Sequence, residues 1–126
     1  MKKLITFIMI LVPILMKAQV YTVTVYNAVR EQCNGNHLQT ADGSIIDTQK
    51  LERGELQWCA VSRDMLQEGW KYGDKIEILS PDPLISGIYE IHDTMSKKHH
   101  KRIDILMPKR INKGRWSVRV RKPKTP

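Results

Sequence analysis

Short runs of alternating residues, each cut off by a turn signal, limit most strongly what this chain can become. From Val20 to Tyr26, Tyr21, Val23 and Val25 fall on one side and Thr22, Thr24 and Tyr26 on the other. That period of two is the spacing of a strand with one buried face. The pattern recurs along the chain. Trp58 to Ser62 reads as a short buried strand, and in Lys75 to Leu79 the side chains of Ile76 and Ile78 point inward. In Gly87 to Asp93, alternation puts Tyr89, Ile91 and Asp93 on one face. From Arg102 to Met107 the apolar row is Ile103, Ile105 and Met107, with Arg102, Asp104 and Leu106 opposite. Arg115 to Val120 sends Trp116, Val118 and Val120 inside. Gly73-Asp74 makes a tight turn whose carboxylate accepts backbone N–H groups, and Ser80-Pro81-Asp82-Pro83 makes another. Helix is expected only as single turns, at Arg63 to Leu66 and in the basic connector from Pro108 to Gly114. The expected fold is all-β, a six-stranded small barrel, with a long loop after the first strand.

That loop covers residues 27–57 and holds Cys33-Asn34-Gly35-Asn36, Ala41-Asp42-Gly43-Ser44 and a charged run from Lys50 to Glu55. A short strand is expected within it around Ile45 to Asp47. A connection of this length in a small domain is a binding element or conceals a further element.

Residues 1–18 stand apart from the domain. Lys2 and Lys3 precede an apolar run from Leu4 to Met16, broken only by Thr6 and Pro13 and ended by Lys17-Ala18-Gln19. This is the pattern of a signal peptide for export, to the periplasm or beyond the cell. The run is short for a transmembrane helix, and Pro13 weakens that alternative. The expected organisation is a signal peptide at 1–18, a barrel domain at 19–121 and a basic tail at 122–126. Loss of Lys2, Lys3 and Lys17 would take 21 basic residues to 18 against 13 acidic ones, a net +5 rather than +8. Such a charge favours anionic surfaces, among them cell-wall glycan, lipopolysaccharide and nucleic acid. No aromatic-interleaved basic motif supports nucleic acid as the partner.

Cys33 and Cys59 are the only cysteines. In an oxidising compartment they are expected to pair, adding about 3–4 kcal/mol through loop closure; two free thiols, one buried behind Trp58, are the alternative. No C-x-x-C or H-x-x-x-H spacing is present, so neither a metal nor another cofactor is expected.

The chemistry is expected between His92 and Leu106, a strand, a basic loop and a second strand. Asp104 stands mid-strand between Ile103 and Ile105, where partial desolvation raises a carboxyl pKa and suits it to carrying a proton. An ordinary ion pair with Arg102 explains the same pattern. The run Lys97 to Arg102 grips envelope anions or forms a solvated loop tip. His92, opposite Asp93 by alternation, reads as a surface residue. Trp116 reads as core, and Trp70, beside a glycine, as an exposed platform on which a sugar ring can stack.

Several segments, in order, resemble the three-aspartate domain, a double-psi β-barrel of cell-wall proteins. Asp93-Thr94, followed by Arg102-Ile103-Asp104-Ile105, looks like the family's D-T-G-G-A-I-K-G-N-R-I-D block. Val23-Thr24-Val25-Tyr26 is similar to its opening strand, Thr40-Ala41-Asp42-Gly43 to its T-A-S/T-G loop, and Ala60-Val61-Ser62-Arg63 to its A-V-D-P. Tyr72-Gly73-Asp74 and Gly114-Arg115-Trp116-Ser117-Val118 match its later turn and closing strand, so the likeness spans most of residues 22–120.

Such domains occur in membrane-bound lytic transglycosylase A, and a related barrel occurs in rare lipoprotein A and the expansins. The resemblance implies a monomer acting on peptidoglycan glycan strands, with Asp104 as the single acid/base and Asp93 as its partner. Tyr26, Thr40, Ser62 and Arg102 would contact substrate. The other implied function is a non-catalytic glycan-binding barrel in the manner of expansins. Two departures stand out. Ser62 occupies the place of the family's first aspartate, with Asp64 two residues on. The glycine-rich stretch is replaced by Met95-Ser96-Lys97-Lys98-His99-His100-Lys101, whose side chains would crowd a sugar lying against the backbone.

Overall fold

The computed structural model describes residues 19–30 and 35–124. Residues 1–18, expected to be a signal peptide, and Cys33, half of the expected disulfide, lie outside the described residues. Six strands form a closed barrel: β1 (Tyr21–Tyr26), β2 (Trp58–Val61), β3 (Lys75–Leu79), β4 (Gly87–Thr94), β5 (Arg102–Leu106) and β6 (Arg115–Arg121). Around the barrel the order is β1-β5-β2-β4-β3-β6. Two neighbouring pairs, β1 with β5 and β2 with β4, are parallel, and the other four pairs are antiparallel. Closure pairs every strand on both sides and removes the exposed edges of an open sheet.

Alternation sorts the side chains as expected in most strands. Val23, Cys59, Val61, Ile76, Ile78, Ile91, Ile103 and Ile105 are wholly buried and pack together inside, with Tyr21, Tyr89 and Val118 nearly so. Trp116 and Val120 pack against this core from partly buried positions. Burying each such aliphatic side chain contributes about 1.5–3 kcal/mol.

The connection after β1 is more ordered than a loop. Gln39 and Ile45 form an isolated antiparallel bridge, and a helix, α1 (Thr48–Glu52), follows it. Asp47 caps α1 by accepting from the backbone N–H groups of Gln49 and Lys50, so Asp47 ends the expected strand and starts a helix. Helix α1 buries Leu51 with Ile46 against Leu106, and Tyr26, Ala28, Leu56 and Trp58 pack around them. This second cluster covers part of the barrel's outer surface. The expected turn at Arg63 is realised as α2 (Arg63–Gln67), whose Met65 is wholly buried. The connector after β5 makes a turn in place of a helical one, closed by Ile111 N–H donating to the Pro108 carbonyl at 2.9 Å.

Cys59 carries a free thiol within the core, pushed to a high pKa by burial and by the charge of Asp104. Trp70 departs from the sequence expectation. It packs against the core, and the Lys122 ammonium lies 5.7 Å from the ring centroid, so it offers no bare stacking face. At the start of β6, the Trp116 indole donates to Asp82 at 2.8 Å and lies over Gly114. A Cβ at residue 114 would come within 2.0 Å of that ring, and the backbone φ there is +156°. Gly114→Ala is therefore expected to cost about 1–3 kcal/mol by overpacking, read as a lower urea midpoint with an unchanged m-value.

Candidate functional site

The site is built on the outer face of four adjacent strands. Thr24 of β1 pairs with Asp104 of β5, Asp104 pairs with Ala60 of β2, and Ala60 pairs with Asp93 of β4. Directly paired residues share a face, so the row runs threonine, aspartate, alanine, aspartate. The methyl group of Ala60 leaves room between the carboxylates, whose Cα atoms are roughly 10 Å apart by strand spacing.

Asp93 reaches this row because β4 is bulged. Cys59 pairs with Ile91 but Ala60 pairs with Asp93, which leaves His92 as an extra residue. The alternation expected from the sequence, with Asp93 on the face of Tyr89 and Ile91, stops at that point. One extra residue turns Asp93 away from the core and onto the face of Asp104.

The two carboxylates are held differently. Asp93 is nearly saturated: Oδ1 accepts from the backbone N–H groups of Ala41 at 3.0 Å and Thr94 at 2.9 Å, and Oδ2 accepts from the Tyr26 hydroxyl at 3.3 Å. Burial raises its pKa, these three hydrogen bonds oppose the rise, and the charge of Asp42 adds to it. Asp104 Oδ1 accepts from the Thr24 hydroxyl at 3.0 Å. No described residue donates to its other oxygen. Burial lifts the Asp104 pKa, the Thr24 bond and the Arg102 charge pull it back in part, and the Asp93 charge raises it further. Tyr26, pushed far up by burial and by both aspartates, stays a phenol and a donor.

Tyr26, Thr40, Asp93 and Asp104 line one groove of about 560 Å³, with Ala60 among its walls and Lys98 and His99 of the basic loop on its rim. Two expected substrate contacts lie elsewhere. Ser62 is wholly buried, and its Oγ accepts from the Arg102 N–H at 3.0 Å. Arg102 shares the outer face with Asp104 but does not line the groove, and it donates from Nε to Thr24 Oγ1 at 3.1 Å. Asp64 accepts from the Lys101 N–H at 2.9 Å and so ties down the end of the basic loop. No group of three or more His, Cys, Asp or Glu side chains among the described residues could hold a metal ion.

Sequence reasoning missed the latch beside the groove. His92 is no surface residue: its Nδ1 lies 2.7 Å from Asp42 Oδ2 and 3.2 Å from Ser44 Oγ, its Nε2 lies 3.1 Å from Glu90, and its ring packs on Trp58 at 4.1 Å. Its carbonyl accepts from the Asp42 N–H at 3.2 Å. Asp42 in turn accepts from the Thr40 hydroxyl at 2.6 Å and the Ser44 N–H at 3.0 Å. The segment from Thr40 to Ser44 is thereby pinned as a groove wall. The Thr-Ala-Asp-Gly-Ser run signalled a turn, but only the bulge presents His92 to it.

No protein-family model and no curated protein matches this chain. The likeness to the three-aspartate domain thus rests on its motif residues alone.

Burial alone would raise the Asp42 carboxyl, but hydrogen bonds from Thr40, His92 and Ser44 prevail and hold it at about 2. Its stabilisation is complete above the ordinary value of 3.8 and is lost as pH falls toward about 2. Asp42→Asn should lower stability at pH 7 by about 1–3 kcal/mol. It should also flatten that acid limb in a series of urea titrations.

Proposed function

We propose that this barrel cleaves peptidoglycan glycan strands as a lytic transglycosylase, with Asp104 as its single acid/base. The observation that carries the reading is a desolvated carboxyl on a groove floor, oriented through one oxygen and open at the other. Burial favours its protonated form, so it can give a proton to the oxygen between N-acetylmuramic acid and N-acetylglucosamine. The C1–O bond breaks as the amino sugar leaves. The carboxylate then takes the proton of the muramyl C6 hydroxyl, whose oxygen bonds C1 and closes a 1,6-anhydro ring. Acid and base are the same group, so no second carboxylate is needed at nucleophile distance, unlike a retaining glycosidase. Asp93, occupied by Ala41, Thr94 and Tyr26, shapes the wall and adds negative charge near Asp104. A second groove of about 690 Å³ also touches His37, which extends the lined surface beyond one sugar. Export through the N-terminal segment would bring the chain to this substrate.

A glycan-binding module without catalysis is the second reading. The observation favouring it is that Lys98 and His99 overlook the groove where the three-aspartate family has glycine-rich backbone.

Purified murein separates the two. Wild type is expected to release anhydromuropeptides, with activity falling as pH rises through the raised Asp104 pKa and the acid form is lost. Asp104→Asn should abolish release, a loss of at least about 100-fold for removing a general acid, while retaining murein binding. An ionised Asp104 costs stability as pH rises above its ordinary value of 3.8, so Asp104→Asn should be no less stable than wild type at pH 7. Murein bound with no anhydro product from wild type would establish the binding module.

A further inference from the structure

The basic loop carries a side chain whose protonation pattern is set by its neighbour. Arg102 NH1 lies 3.0 Å from His99 Nδ1. A guanidinium can only donate, so Nδ1 must accept, and the imidazole must be neutral with its proton on Nε2. The surroundings agree: burial and the nearby charges of Arg102, Lys98 and His100 all depress the His99 pKa. Among the described residues Nε2 has no partner, and His99 lines the groove.

The same Arg102 donates through Nε to Thr24 Oγ1, and Thr24 donates to Asp104 Oδ1. One guanidinium therefore fixes two groups at once, the acceptor state of Thr24 that aims its hydroxyl at Asp104 and the donor state of His99. Ser62 fixes Arg102 from behind by accepting its backbone N–H.

We propose that His99 is a specificity-determining residue, a neutral Nε2–H donor on the groove wall that binds an acceptor oxygen of the amino sugar, with Arg102 as the positioning residue that locks it. This rests on the reading of the groove as a glycan site. The acceptor is an acetamido carbonyl or a muramyl carboxylate, both of which take one N–H.

Nitrogen-15 NMR of the full chain tests the lock directly. His99 is expected to show a protonated Nε2 and an unprotonated Nδ1 at pH 7, and Arg102→Ala should release it to the ordinary mixture of tautomers. An Nδ1–H tautomer or an imidazolium in wild type would overturn the proposal. Calorimetric titration tests the donor, using chitotetraose for the acetamido arm and purified glycan strands containing N-acetylmuramic acid for the carboxylate arm. His99→Ala should weaken binding about three- to tenfold, the range for one hydrogen bond. His99→Gln, whose amide can accept from Arg102 and donate to the ligand, should restore it to within about twofold. A His99 effect on both ligands assigns the acetamido carbonyl, and an effect on the muramyl strand alone assigns the carboxylate. Equal binding by wild type and His99→Ala would overturn the donor role while leaving the glycan reading standing. Failure of wild type to bind either saccharide would overturn both. Anhydro-product release, scored separately, bears on cleavage alone.

Discussion

One extra residue in β4 organises the face that carries the candidate site. In a strand the side chains alternate strictly, so an unbroken β4 would send Asp93 into the core with Ile91. The bulge at His92 cancels that alternation, and Asp93 emerges beside Ala60 and Asp104. A carboxylate inside the barrel would have met a core dominated by Ile, Val and Met side chains, at a desolvation cost that the packing there cannot offset. On the outer face it meets two backbone N–H groups and a phenol. The same bulge frees the His92 carbonyl for Asp42 and sends its ring between Asp42 and Glu90. A single change of register thus supplies both the second carboxylate and the anchor for the loop that walls it in.

The barrel and the groove divide the energetics. Wholly buried aliphatic side chains on the inner face hold the strands in place. The outer face is a polar network in which each bond constrains another. Ser62 holds the Arg102 backbone, Arg102 orients Thr24 and His99, and Thr24 orients Asp104. Low local dielectric strengthens such a chain and makes any unpaired member costly. Among the described residues two members are left half-paired, His99 at Nε2 and Asp104 at one oxygen, and burial shifts the Asp104 carboxyl toward the acid form.

Much of this was legible before folding. The inward rows of β1, β3 and β5 follow from alternation, and so does the placing of Asp104 with Leu106 on the outer face. The Asp74 turn, with its carboxylate accepting from the Lys71 N–H at 3.0 Å, was readable from Gly73-Asp74. Helix α1 was not, because five residues carry too little period to declare a helix and its cap, Asp47, also suits a turn. The packing of Trp70 is not legible in the sequence, because a neighbouring glycine says nothing about what packs on a ring. Ser62 is wholly buried and Arg102 lies beside Thr24, off the groove lining, and alternation alone does not separate such neighbours from groove residues.

What the sequence determined by itself is therefore local: where strands start and stop, which side chains share a face within an uninterrupted strand, and the basic character of the loop after β4. Those properties depend on backbone geometry and the spacing of apolar residues, which one segment carries alone. The tertiary structure decided the direction of Asp93, the partners of His92 and the tautomer of His99. Each of these depends on an element distant in the chain: β2 sets the register that bulges β4, the Asp42 turn meets His92, and β1 supplies the Thr24 that Arg102 grips. Register and hydrogen-bond direction are properties of pairs, and no single strand contains its own partner.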